Sequence, residues 1–187
     1  MARASSRTDI LSTALDLLVR ADGRDVSLEA IARACGLTKQ GVMYHFPTKD
    51  ALRVAASEYV LELWRDRLRD ELGGSLDVPV ADRIGAYAHL VGVDAPPWEL
   101  RLFAERLYRD RLAGPTTSWF AEWLAVSPAL SDEVRGRLLT ARMAADRLWF
   151  EVRLERPEAV ENVAEIVAQI DRLLREAAAE SPEISAR

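Results

Sequence analysis

The chain has 187 residues, 49% of them apolar and 29% charged, with a net charge of −5. That length can bury a sizeable core in one large domain or two small ones, and no apolar run nears the roughly 18 residues a membrane span needs. The single cysteine, Cys35, cannot form an internal disulfide, and the opening Met-Ala-Arg-Ala-Ser-Ser-Arg lacks the apolar stretch of a signal peptide. A soluble, cytoplasmic protein is expected.

The acidic total is unevenly divided. Residues 1–50 hold seven basic and six acidic side chains, a net +1, which leaves −6 for residues 51–187. A near-neutral head thus precedes an acidic body, and only local placement of basic residues would create a phosphate-binding face. Catalysis has little material. His45 and His89 are the only histidines, no glycine-rich phosphate loop occurs, and carboxylates sit beside arginines, as in Glu105-Arg106 and Asp110-Arg111. No enzyme activity, metal site or cofactor is expected.

Helical periodicity dominates, so the fold class is all-α, with about nine helices. The first helix starts near Ser6 or Thr8 and runs to about Arg20, with Ile10, Leu11, Ala14, Leu15, Leu17 and Leu18 as its apolar stripe. Ser27 caps a second helix to about Ala34, Gly36 supplies a tight turn, and Thr38 caps a third that Pro47 ends. Thr48 then caps a long connector from about Lys49 to Leu72, followed by the break Gly73-Gly74-Ser75. Further helices fit 79–93, 97–113, 116–126, 131–154 and 158–179, the last opened by Pro157, and the tail from Ser181 is expected to fray. The expected domains are 1–50 and 51–187.

The stretch from Ser27 to Leu52 reads as a helix-turn-helix unit. A helix that enters a DNA major groove needs short side chains for close approach and polar ones that reach base edges and phosphates. Thr38-Lys39-Gln40-Gly41-Val42-Met43-Tyr44-His45-Phe46 offers both. Lys39 and Gln40 lie in the first turn, where such helices touch bases, and Gly41 permits close backbone approach. Val42 and Phe46, four residues apart, share the buried face.

Three segments carry a resemblance to a known family: Ser27-Leu28-Glu29-Ala30-Ile31-Ala32, Cys35-Gly36-Leu37-Thr38, and Tyr44-His45-Phe46-Pro47-Thr48-Lys49-Asp50-Ala51-Leu52. Over about residues 6–55 the chain resembles the DNA-binding domain of the tetracycline-repressor (TetR) family of bacterial regulators. The resemblance implies that Ser27, Thr38, Tyr44, His45 and Lys49 contact phosphates while Lys39, Gln40 and Gly41 read bases, with Arg3 and Arg7 reaching DNA from an N-terminal arm. The chain departs from the pattern at one place. Met43 stands where the family has a tyrosine two residues before the histidine, and Tyr44 stands beside it, so Tyr44 is expected to meet phosphate from a rotated position while Met43 packs inward.

In the body, all five tryptophans follow residue 60. Trp64, Leu68, Trp98, Phe103, Phe120, Trp123 and Met143 are the candidate lining of an apolar ligand pocket, with Arg147 or His89 as its polar handle. A small apolar or aromatic effector would act by shifting the connector helix. Two apolar seams close the chain at spacings of three and four: Leu138, Ala141, Ala145, Leu148 and Val152, then Val163, Val167, Ile170 and Leu174. Paired about a twofold axis they would form a four-helix bundle in a homodimer. The expected function is a dimeric, ligand-responsive repressor on a near-palindromic operator. The alternative is a helical interaction or sensor module whose helix-turn-helix does not bind DNA.

Overall fold

The computed structural model describes residues 7–20, 26–92, 115–154 and 161–185. The expected helix at 97–113, with Trp98 and Phe103, lies outside those residues, as does Arg3. Among the described residues the chain is all-helical, with eight α-helices, a closing 3-10 turn and no strand. None of these helices is long and apolar enough to cross a membrane. They group into two compact units, one through Leu63 and one from Trp64 onward.

The first unit begins with α1 (Arg7–Arg20), whose Ile10, Leu11, Ala14 and Leu15 form one buried stripe. Next comes α2 (Leu28–Ala34), capped at Ser27, where the hydroxyl oxygen accepts from the Ala30 amide at 3.1 Å. The chain leaves α2 through a Schellman turn. The Leu37 amide donates to the Ala32 carbonyl (2.8 Å), the Gly36 amide donates to that of Arg33 (3.2 Å), and Gly36 takes φ 68. That φ suits glycine because it has no Cβ to crowd the backbone. Thr38 then caps α3 (Lys39–His45) by accepting from the Gly41 amide at 3.0 Å. Phe46 is extended, at φ −137 and ψ 92, as the residue before a proline prefers, and there the helix stops.

Thr48 accepts from the Ala51 amide at 3.0 Å and starts α4 (Lys49–Glu71), whose 23 residues extend for about 35 Å. α4 ends in a second Schellman turn, with the Gly74 amide on the Arg69 carbonyl (2.8 Å) and the Gly73 amide on that of Asp70 (3.2 Å). The division between the two units falls inside this helix.

The second unit continues with α5 (Val80–Gly92), α6 (Pro115–Trp123), α7 (Asp132–Arg153) and α8 (Val163–Glu180). α5 is its central helix: Ala81, Ile84, Ala86, Tyr87, Ala88 and Val91 are all buried, and both α7 and α8 pack on it. Ser131 caps α7 through the Val134 amide at 3.3 Å. Arg137 then joins α7 to α8, with Nη2 2.7 Å from Glu133 and Nη1 2.6 Å from Glu180.

One expectation is corrected in this unit. α8 is described from Val163, after an Asn162 at φ −117 and ψ 20, outside the helical basin; the expected helix start at 158, with Pro157 before it, lies outside the described residues. The tail does not fray at Ser181. Pro182–Ile184 forms a 3-10 turn, Ile184 is buried, and the Ser185 hydroxyl donates to Asp82 Oδ1 at 2.9 Å. Burying one isoleucine and pairing one carboxylate holds the segment down.

Candidate functional site

The capped turn between α2 and α3 divides the side chains of α3 between two environments. Val42 and Phe46 are fully buried, and the guanidinium of Arg7, in the first turn of α1, lies 5.1 Å from the centre of the Phe46 ring. Arg7 is thus part of a helix packed against the head and does not belong to a loose arm. On the other side of α3, Lys39 and Gln40 are exposed and Tyr44 is 86% exposed. His45 is half-buried, its ring 5.2 Å from that of Tyr44 in an edge-on arrangement. Met43 remains exposed and does not pack inward as expected, because Val42 and Phe46 already occupy the buried face of so short a helix.

Gly41 is not demanded by the fold. A Cβ built there meets Thr38 Oγ1 at 3.5 Å and Leu37 Cβ at 3.6 Å, which are ordinary contacts. Alanine would fit and would favour the helix by about 1 kcal/mol.

Glu29, in the first turn of α2, has a partner that no sequence pattern announces. Lys39 Nζ lies 2.6 Å from Glu29 Oε1, bridging the turn between the two helices. The hydrogen bond from Lys39, with help from the Glu29 backbone amide, holds this carboxyl below its usual range. A ten-residue separation across a turn leaves no periodic signal for such a pair. Ser27 and Thr38 use their hydroxyl oxygens as caps.

In the second unit, part of the expected aromatic set comes together. The Trp64, Tyr87 and Phe120 rings, from α4, α5 and α6, form a triangle with centroids 5.9–6.1 Å apart. Trp119 stacks on Trp123 at 5.3 Å, and the Trp123 indole donates to the Leu76 carbonyl at 2.9 Å. Leu68 is fully buried. Trp64 is only 2% exposed, yet its Nε1 has no hydrogen-bond partner among the described residues. A buried donor left unmet in this way costs about 1–3 kcal/mol.

Three further expected pocket residues, Met143, Arg147 and His89, lie elsewhere. Met143 is 69% exposed on α7, and Arg147, equally open, pairs with Glu151 and lies over the Phe150 ring. Neither lines the interior, because the inward stripe of α7 is already filled. Nor is His89 a free polar handle, since its ring is held by Glu71 and Asp171.

The two closing seams also changed roles. Leu138, Ala141, Ala145 and Leu148 of α7, with Ile170 and Leu174 of α8, are buried within the single chain, where α5, α7 and α8 pack on one another. Val152, Val163 and Val167 are partly exposed. The large apolar side chains that α7 does present to solvent are Leu139, Met143 and Phe150, and Leu154 follows at its cap. A three-and-four repeat packs equally well against a neighbour in the same chain, and here the buried α5 is that neighbour.

Residues 10–56 match the family model described as bacterial regulatory proteins, tetR family. The HTH-type transcriptional regulator RutR of Escherichia coli (strain K12) is 29% identical over 106 residues, covering 48% of this chain and 50% of that protein. The HTH-type transcriptional regulator AlkX of Mycobacterium tuberculosis (strain ATCC 25618 / H37Rv) is 34% identical over 85 residues, covering 46% and 38%. The chain thus spans half or less of the length of these curated relatives. Two crystal structures share its fold. A TetR-family transcriptional regulator from Rhodococcus sp. has a TM-score of 0.65 at 18% identity, covering 90% of this chain and 98% of its own. One from Streptomyces coelicolor has 0.56 at 20%, covering 98% and 86%. The head, residues 10–56, thus carries the sequence of a tetR-family regulatory protein, and the chain as a whole shares the fold of these two solved structures.

Proposed function

We propose that this chain is a cytoplasmic transcriptional repressor that binds a near-palindromic operator as a homodimer and leaves it when a small apolar or aromatic effector binds the body. Residues 1–50 serve as the DNA-binding domain and residues 51–187 as the ligand-binding and dimerisation domain. The observation that carries the DNA-binding reading is the two-sided α3, with Val42 and Phe46 buried beneath exposed Lys39, Gln40 and Tyr44. Lys39, Gln40 and Gly41 read base edges. Ser27, Thr38, Tyr44, His45 and Lys49 position the helix on phosphates.

For the homodimer, the support is the exposed apolar edge of Leu139, Met143, Phe150 and Leu154. A row of large side chains in water marks a covered surface more often than a free one. For the effector, the support is Trp64 Nε1, a buried donor with no acceptor among the described residues, set against two further rings. An apolar ligand that carries one acceptor would complete it.

Selection of bound DNA from a random pool, repeated with candidate effectors, tests the whole reading. The expected product is an inverted repeat whose recovery falls when the effector is present. Sequences without symmetry would remove the dimeric operator, and a pool that is not enriched at all would remove DNA binding.

A further inference from the structure

One histidine stands outside both the α3 face and the aromatic triangle. His89, in α5, has a carboxylate facing each ring nitrogen. Nδ1 lies 3.2 Å from Glu71 Oε1, and Nε2 lies 3.1 and 3.2 Å from the two oxygens of Asp171. Glu71 is the last residue of α4, and Asp171 belongs to α8.

A neutral imidazole has one N–H and one lone pair. In either tautomer, one of the two carboxylates would meet the lone pair instead of a proton. Only the imidazolium donates to both at once. We propose that His89 is a proton-operated tie that fastens the last turn of α4 and the middle of α8 to α5, so that the second unit holds together more firmly when the ring is charged.

The surroundings agree in sign. The ring forms part of the wall of a cavity of about 460 Å³ between α5 and α8. Asp82 from α5, Asp171 and Arg175 from α8, and Ser185 from the tail complete its polar lining, while α7 contributes no titratable side chain to that wall. Two carboxylates, Glu71 and Asp171, meet the ring itself, while Asp82 and Arg175, one of each sign, line the same cavity, so the contacts on the ring favour the imidazolium. Burial by itself pulls the ring's pKa down, but the hydrogen bond to Asp171 and then that to Glu71 outweigh it and hold the group above its ordinary value. A folded-state pKa raised in this way gives stability that is complete below the unfolded value of about 6.5 and is lost as pH rises through the folded pKa.

The test follows the two histidine rings of the full-length protein by NMR through a pH titration, with a His45→Gln variant to assign them. His89 should titrate above its ordinary value, and Glu71→Gln and Asp171→Asn should each lower that titration. The thermal midpoint of the wild type relative to His89→Gln should shrink as pH passes through the same titration. Titration at or below the ordinary value, no response to either carboxamide, or a midpoint difference flat in pH would overturn the tie. If His89→Gln does not fold, the wild-type and carboxamide titrations decide the matter.

Discussion

The two units of this chain are held by different kinds of chemistry. In the first, Ser27, Thr38 and Thr48 each cap a helix through a hydroxyl three residues from its amide partner, and Gly36 closes one turn. In the second, long helices depend on partners far away in sequence: Arg137 on Glu180, His89 on Asp171, Asp82 on Ser185. A helix of seven residues has too few intrahelical bonds to survive without its ends being satisfied, whereas a helix of 22 needs a face to pack against. The contrast teaches that a short element carries its own instructions and a long one borrows them from its neighbours.

The largest effect should come from the buried seam. Leu138→Ala removes a fully buried side chain of α7, and we expect a loss of about 2–5 kcal/mol in chemical denaturation. Met143→Asp, on the exposed side of the same helix, should leave stability within about 0.5 kcal/mol while shifting a dimer towards monomer in sedimentation. If instead Leu138→Ala kept its stability and separated the subunits, the seam would face a partner.

Next in size is the cap. Thr38→Ala should cost the head about 1 kcal/mol, read as a lower melting point together with weaker DNA binding; an unchanged melt would mean the capping bond adds nothing. Gly41→Ala should act in opposite directions on the two measurements. The head should gain up to about 1 kcal/mol from helix propensity, while DNA affinity should drop, since the proposed base contact at Gly41 needs the space the new methyl would take. An affinity that rose with stability would end the close-approach role of Gly41. The smallest effect belongs to Glu29→Gln, which releases Lys39 from its ion pair across the turn. A few-fold gain in affinity with a steeper salt dependence is expected, and an identical salt slope would show that Lys39 is not limited by Glu29.

The legible parts of the molecule are those in which cause and effect lie within four residues. Thr38, Gly41, Val42 and Phe46 signal a capped helix with one buried face, and the structure places them so. The Leu138–Ala145 seam was legible as a seam but not as to its partner, because α5 and a second subunit would demand the same spacing of three and four. His89 was visible as a lone polar group among apolar neighbours, yet the carboxylate that claims it lies 82 residues away. Ile184 gave no signal, since a single apolar residue after a proline looks like any loose tail.

The bond between Ser185 and Asp82 closes a loop of 103 residues. During synthesis at roughly 5–20 residues per second, Asp82 leaves the ribosome about 5–20 s before Ser185 does. For that interval α5, buried on nearly every side in the finished protein, lacks the helix and the tail that will cover it. The second unit is therefore completed from its far side: its central helix is made early and stays partly uncovered until α8 and the 3-10 turn after it arrive.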